Sequence, residues 1–296
     1  MPSPHLDDAA EALIDAFADR LEAADVVFGH GTDNARDEAW RLVAGILRGG
    51  RVTPRRVAEL EALLRRRIED RVPVPYLTGE AWFGDLRLRI PPGVMIPRSP
   101  IGELLANGIR PWLDREPARV LDLCCGSGCI GIAAAYVFRG ARVDLVDDDE
   151  RAVAAAHENV RRTDATVRPR IEVIASDLFE GLGGRRYDLI LCNPPYALTG
   201  ELDSAAREFH HEPRHGLDGG ADGLAVWRRI VGDLGAHLNP GGILVGEAGG
   251  LSREFDDAFP QLHAVWVDLA RAERQPDGGF GVFVSVGREM GAGLVG

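Results

Sequence analysis

From about Ala118 onward, short apolar runs alternate with helical patterns, and that alternation constrains the fold more than any other feature. The runs Arg119–Cys124, Arg142–Asp147, Ile171–Ala175, Tyr187–Cys192, Gly242–Glu247, Ala264–Asp268 and Gly281–Val286 read as strands. Cys129–Val137, Glu150–Arg161, Leu224–His237 and Ser252–Phe259 carry the period of helices. Continuously apolar strands need cover on both faces. The expectation is therefore an α/β domain, a mainly parallel sheet of seven strands between helices. No helical pattern separates the last two runs, so the final strand can enter the sheet antiparallel. Ligands of such sheets sit beyond the carboxyl ends of the strands, where strand order reverses.

Upstream of the sheet, apolar residues recur at three- and four-residue steps in three stretches: Leu13, Ile14, Phe17, Leu21; Trp40, Val43, Ile46, Leu47; Val57, Leu60, Leu63, Leu64, Ile68. They predict a small three-helix N-terminal domain over residues 1–71. Between Arg48 and Arg71, eight Arg stand against Glu59, Glu61, Glu69 and Asp70. This local excess reads either as a solvated helix face or as a contact surface for RNA or an acidic partner. Pro73, Pro75, Pro91, Pro92, Pro97 and Pro100 exclude a long helix over the next stretch. Trp82–Ile90 alternates around Gly84-Asp85 and predicts a β-hairpin. Residues 72–105 are accordingly expected as a linker, 106–290 as the sheet domain and 291–296 as a tail.

The 296 residues hold 34 basic and 46 acidic side chains, a net charge of −12, and every basic residue is Arg. Without Lys, Schiff-base chemistry and a P-loop lysine are excluded. The acidic balance argues against binding bare duplex DNA or an anionic membrane. No apolar run reaches the length of a membrane helix, and Asp7, Asp8, Glu11 and Asp15 do not suit a signal peptide. Four Cys make no disulfide scaffold, and a cytoplasmic location is expected. Cys124, Cys125, Cys129 and Cys192 lack the spacing of a zinc site and read as small buried residues.

The first strand of the alternating region runs through Asp122 into Cys124-Cys125-Gly126-Ser127-Gly128 and then into a helix rich in small residues. Glycines let the backbone bend tightly and approach a ligand, and the helix start offers free N–H groups. Asp147 ends the second strand, 19 residues past Gly128, where a carboxylate can accept from two ribose hydroxyls. Asp148, Asp149 and Glu150 instead suit the start of the following helix. Asp177, after the third strand, is placed to accept from an exocyclic amine, with Leu178 flanking a base. This combination predicts a nucleoside-like ligand.

After the fourth strand comes Asn193-Pro194-Pro195-Tyr196. Two prolines stiffen the backbone and withhold two N–H donors, so the Pro194 carbonyl can face a ligand. With the Asn193 side-chain carbonyl it forms a pair of acceptors for a planar NH₂ group, and Tyr196 offers a flat face. Holding both hydrogens aims a weakly nucleophilic nitrogen at an electrophile, so catalysis is positioning and electrostatics. A glutamine amide and an exocyclic adenine amine both satisfy this description.

These motifs resemble class I S-adenosylmethionine-dependent methyltransferases, whose sheet is Rossmann-like. Over nearly the whole chain the resemblance is to the HemK-like protein N(5)-glutamine methyltransferases. Val74-Pro75-Tyr76-Leu77-Thr78-Gly79 with Trp82-Phe83 is similar to their linker, and Ile96-Pro97-Arg98-Ser99-Pro100-Ile101-Gly102-Glu103 resembles the branch acting on the third protein of the large ribosomal subunit. The branch acting on release factors usually carries Arg-Pro-Asp-Thr-Glu there, which this chain lacks. Release factors stay as an alternative substrate, and a non-catalytic cofactor-binding or ribosome-assembly module as an alternative of another class. The resemblance implies S-adenosylmethionine as cofactor, held by Asp122, Cys124, Cys125, Gly126, Ser127, Gly128, Asp147, Asp177, Leu178 and Asn193. It implies Asn193, Pro194, Pro195 and Tyr196 as catalytic residues, no metal, and a substrate-recognition role for residues 1–71. The implied partner is a basic ribosomal protein presenting a Gly-Gln loop, with ribosomal RNA as a possible contact of Arg48–Arg71. Cys124 stands where class I S-adenosylmethionine-dependent methyltransferases at large often have their first glycine. Glu208–Arg214, with His210 and His211 and followed by His215, reads as a loop beside Asn193–Tyr196 rather than as a metal site.

Overall fold

The computed structural model describes residues 7–269 and 281–287. The chain divides into two units, Met1–Arg98 with Ala205–Pro213, and Ser99–Ser204 with Arg214–Gly296.

In the first unit three helices follow the three amphipathic stretches. α1 (Asp8–Ala23), α2 (Ala35–Leu47) and α3 (Pro54–Glu69) each start on a side-chain cap. Asp7, Asn34 and Thr53 accept from the N–H of Ala10, Asp37 and Arg56. Ile14, Phe17, Leu21, Leu42, Val43, Leu60 and Leu64 close the core between them. A short α4 (Val74–Thr78) stops at Gly79, whose φ of 74° permits the turn into β1 (Glu80–Phe83) and β2 (Leu86–Arg89). The hairpin pairs Glu80 with Arg89 and Phe83 with Leu86.

This unit departs from the sequence expectation in three places. Residues 72–98 group with the helices instead of forming a separate linker, because Val74 shares the helical core and Ala81, Phe83, Leu88 and Ile90 are buried. Residues 99–105 group with the sheet. Residues 205–213, which hold most of the expected loop Glu208–Arg214, are built into the helical unit. There Glu208 and Glu212 are buried. Arg67 donates from Nη1 to Glu208 Oε1 at 3.1 Å, from Nε to Glu38, and from Nη2 to the Val27 carbonyl at 2.7 Å. Glu212 accepts from the Ile96 N–H at 3.0 Å and from Arg98 Nη1 at 2.7 Å, with His30 Nε2 3.2 Å away. Arg67 is thus a buried ion-pair centre and no part of a basic surface. Arg48, Arg51, Arg55, Arg65 and Arg66 remain exposed.

The second unit contains α5 (Ile101–Ala106), β3 (Arg119–Leu123), α6 (Cys129–Val137), β4 (Arg142–Asp147), α7 (Glu150–Arg161), β5 (Ile171–Ala175), β6 (Tyr187–Cys192), α8 (Thr199–Leu202), α9 (Ala225–His237), β7 (Leu238–Glu247), α10 (Ser252–Ala258), β8 (Val265–Trp266) and β9 (Val282–Val286). Seven strands form one sheet in the order β5-β4-β3-β6-β7-β9-β8. The five strands β5, β4, β3, β6 and β7 run parallel, and β9 pairs antiparallel with both β7 and β8, in line with the antiparallel entry expected for the last run. β7 begins four residues earlier than its apolar run suggests, and the sixth run pairs over only Val265–Trp266. The expected tail 291–296 lies outside the described residues. α6 packs on β3 and β4, α7 on β4 and β5, α9 on β7. Trp227, Phe255 and Phe283 join Leu121, Leu123 and Ile190 in one buried cluster.

The chain leaves β3 toward β4 on one side and returns to β6 on the other, so strand order reverses between β3 and β6. Their register sets Leu123 beside Cys192. Cys124 and Asn193 therefore leave the sheet side by side, where such sheets bind ligands.

Candidate active site

Asp122 lies in β3 with no exposed surface. Its Oδ2 accepts from the Gly131 N–H of α6 at 2.7 Å. A Cβ on Gly131 would meet Leu145 Cδ2 at 2.1 Å, so glycine is required for α6 to approach β3 and β4. Asp122 Oδ1 is buried with no hydrogen-bond partner. Burial pushes this carboxyl up to about 7; the Gly131 N–H opposes the rise and the charge of Asp147 adds to it.

The loop after β3 is held from β4. The Cys125 N–H donates to the Val146 carbonyl at 2.9 Å and the Gly126 N–H to Asp147 Oδ2 at 2.8 Å. Asp147 Oδ1 accepts from the Asp149 N–H at 3.0 Å. Asn159 of α7 donates to the Ser127 carbonyl at 2.9 Å. Cys124, Gly126 and Gly128 have φ of 59°, 55° and 80°. Cys124 thus adopts the left-handed backbone that explains a glycine elsewhere, at a cost of about 1–2 kcal/mol. Asp149 caps α7 by accepting from the Arg151 N–H at 2.7 Å, as its position suggests, and its Oδ2 lies 2.7 Å from His215 Nε2.

The end of β5 joins the same group, since the Ser176 N–H donates to the Asp147 carbonyl at 3.0 Å. Asp177 beside it accepts from Arg229 Nη2 at 2.8 Å, so one carboxylate oxygen is already engaged. Leu178 has φ 48° and its side chain is 8% exposed in the core cluster. It is a core residue.

On the other strand, Pro194 is buried and Asn193, Pro195 and Tyr196 are half-buried. The segment is closed by backbone bonds from Ala197 N–H to the Leu217 carbonyl and from Gly219 N–H to the Ala197 carbonyl, both at 2.8 Å. Gly219 and Gly223 allow that closure: a Cβ would come within 2.7 Å of Tyr196 Cα and 2.6 Å of its carbonyl oxygen. The Tyr196 hydroxyl donates to Glu247 Oε1 at 2.9 Å, and Ser99 Oγ donates to Glu247 Oε2 at 2.6 Å. Sequence reasoning gave no role to Ser99, Glu247 or Gly249, whose Cβ would sit 2.6 Å from the Tyr196 ring. The one available signal was an acidic residue at the carboxyl end of a strand neighbouring β6.

Cys125, Cys129 and Cys192 are buried and Cys124 is half-buried. Burial pushes the thiols of Cys125, Cys129 and Cys192 up. Among the described residues no group of three or more His, Cys, Asp or Glu is placed to hold a metal ion. His211 Nε2 lies 2.9 Å from the Asp70 carbonyl in the first unit, while His215 belongs to the second.

Two substitutions test this loop. Asp147→Ala removes the carboxylate that organises the Gly126 turn and that is expected to accept from a ribose. Cofactor affinity, read by calorimetry, should fall by roughly 1.5–3 kcal/mol. Asp122 has a folded value above its ordinary one, so ionising it opposes folding. The penalty is absent at low pH and grows as pH rises toward about 7. Asp122→Asn should therefore raise the Tm of the ligand-free protein at pH 8 by roughly 2–4 °C. A cationic ligand group reaching Oδ1 would favour the carboxylate, so wild-type cofactor affinity should tighten between pH 6 and 8, and Asp122→Asn should flatten that dependence.

A family model described as "Methyltransferase small domain" matches residues 103–233. The chain is 41% identical over 276 residues to a protein of Bordetella pertussis, covering 89% of this chain and 92% of that one. It is 41% identical over 268 residues to a protein of Xanthomonas campestris pv. campestris (87% and 86%). It is 39% identical over 302 residues to one of Xylella fastidiosa (97% and 94%). Each of the three is named ribosomal protein uL3 glutamine methyltransferase. With a seven-stranded sheet whose order reverses at a glycine loop and an Asn-Pro-Pro-Tyr turn, and with this identity running along almost its full length, the chain belongs to the ribosomal protein uL3 glutamine methyltransferase family.

Proposed function

We propose that the protein transfers a methyl group from S-adenosylmethionine to the side-chain amide nitrogen of a glutamine in ribosomal protein uL3. The observation that carries this reading is Asn193-Pro194-Pro195-Tyr196 leaving β6 directly beside the loop that follows β3. The cofactor supplies a methyl group made electrophilic by a sulfonium. Gly126, Gly128 and Asp147 supply the turn and the carboxylate for its nucleoside part. Asp122, with one unpartnered buried oxygen, suits a cationic group. The Asn193 side-chain carbonyl and the Pro194 carbonyl accept the two amide hydrogens of the substrate. That keeps electron density on the nitrogen and fixes its direction. Tyr196 lies against the planar amide. No strong base is needed, because the proton leaves after transfer has made the nitrogen acidic.

The same proposal includes a substrate glutamine that follows glycine in an exposed loop and a reaction in the cytoplasm. The exposed Arg48, Arg51, Arg55, Arg65 and Arg66 would supply the contact to ribosomal RNA. A protein of net charge −12 also attracts a basic ribosomal protein over long range. The test is incubation with labelled S-adenosylmethionine and undermethylated uL3, followed by peptide mass spectrometry. Label on one glutamine side chain is expected. Equal or faster labelling of a release factor would transfer the assignment to that substrate, and no label on any glutamine would overturn it.

A further inference from the structure

We infer that Glu247, braced by Ser99, is a positioning residue that sets the angle of the Tyr196 ring. The inference rests on the reading that Tyr196 forms a wall of the glutamine site. Glu247 is 5% exposed at the end of β7, next to β6. A carboxylate is expensive to bury there, and its oxygens are spent on two hydroxyls from distant segments, Tyr196 at 2.9 Å and Ser99 at 2.6 Å. Both hydroxyls donate, so the group acts as a double acceptor.

The backbone of Glu247 is itself held. Trp227 Nε1 donates to its carbonyl at 3.3 Å. The preceding Gly246 lies so close to Trp227 and Phe283 that a Cβ would approach both rings to 2.5 Å. The following Ala248 N–H donates to the Gly281 carbonyl. The carboxylate therefore projects from a fixed point toward the tyrosine hydroxyl.

The ring is confined from its edge as well. Gly249 passes it with φ 54° and no room for a Cβ, and Gly281 packs on the Gly249 backbone in turn. Packing limits how far the ring can turn, and the bond to Glu247 fixes its hydroxyl end; because a phenolic O–H stays near the ring plane, the position of the acceptor also biases the tilt. A planar nucleophile resting on that ring inherits the tilt, which in-line transfer requires. Ser99 contributes by holding the second oxygen, so the carboxylate cannot rotate away.

The test uses the full-length protein with fluorotyrosine labelling, which gives four fluorine signals because the chain has four Tyr. Tyr196→Phe identifies the Tyr196 signal. Glu247→Gln should shift or broaden that signal and lower kcat about tenfold, with cofactor Kd within twofold of wild type. Ser99→Ala, which keeps the acid, should move the same signal with a smaller fall in kcat. Combining Glu247→Gln with Tyr196→Phe should add no loss beyond Tyr196→Phe alone. Multiplying losses, or a Tyr196 signal and kcat unmoved by Glu247→Gln and Ser99→Ala in an enzyme that methylates glutamine, would overturn this inference alone. A wild-type protein that methylates no glutamine would overturn the functional reading first.

Discussion

Asn193→Ala is expected to lower methyl transfer to uL3 by roughly 10²–10³-fold while the protein stays folded. Asn193 follows the last residue of β6 and is half-buried, so its truncation removes no core packing. What is lost is an acceptor fixed at the end of a rigid strand, in a place where water is a poor substitute. Such groups act mainly in the transition state, so kcat should fall more than KM rises. Melting temperature should change little, because Pro194, Pro195 and the Ala197–Leu217 and Gly219–Ala197 bonds still shape the turn. Initial rates with labelled S-adenosylmethionine, with a melting curve on the same preparation, decide the matter. Near-wild-type activity would remove Asn193 from the mechanism.

The largest loss of stability is expected from Arg67→Met, about 3–5 kcal/mol on the helical unit. The guanidinium is 1% exposed and lies between Glu38 and Glu208, both 3% exposed. Removing it takes the guanidinium from two buried carboxylates and leaves Glu208 with Arg71 Nη1 at 3.6 Å and the Val27 N–H. Replacing all three by apolar residues of similar volume should restore much of the loss, since the cost comes from uncompensated charge. The pH dependence has a definite sign. Burial raises the Glu208 carboxyl, but the Val27 N–H and Arg67 outweigh it and hold the group below its ordinary 4.5. For Glu212, burial raises and Arg98, His30 and the Ile96 N–H lower, again with a net fall. Groups depressed on folding stabilise above their ordinary value and lose that contribution as pH falls through the folded one. Wild-type stability should therefore decline below about pH 4.5, and Arg67→Met should flatten the part due to Glu208. Denaturant unfolding at pH 7 and pH 4 measures both effects.

The architecture was readable wherever it follows from local chemistry. β3 to β6 fall within a residue of their apolar runs, because a strand buried on both faces leaves an uninterrupted signature. Asp149 reads as a cap from its place before a helix and is one. The hairpin reads from alternation around Gly84-Asp85. Its membership in the helical unit does not, since that depends on which surface covers Phe83 and Leu88.

The site divides along the same line. Asp122, the loop to Gly128, Asp147 and Asn193–Tyr196 are legible because backbone strain, strand ends and proline pairs mark them in the residue string. Cys124 is the instructive case, for only the backbone angle of 59° shows that it does a glycine's work. Glu247 meets Tyr196 across 51 residues and Glu208 meets Arg67 across 141. No periodicity spans such distances. The order of residues determined the strands, the helices and the place of the Asn-Pro-Pro-Tyr turn, since these depend on near neighbours and on backbone torsions. Packing alone decided which acids are buried and what they hold, because the cost of burying a charge is met only by partners that the folded chain brings together.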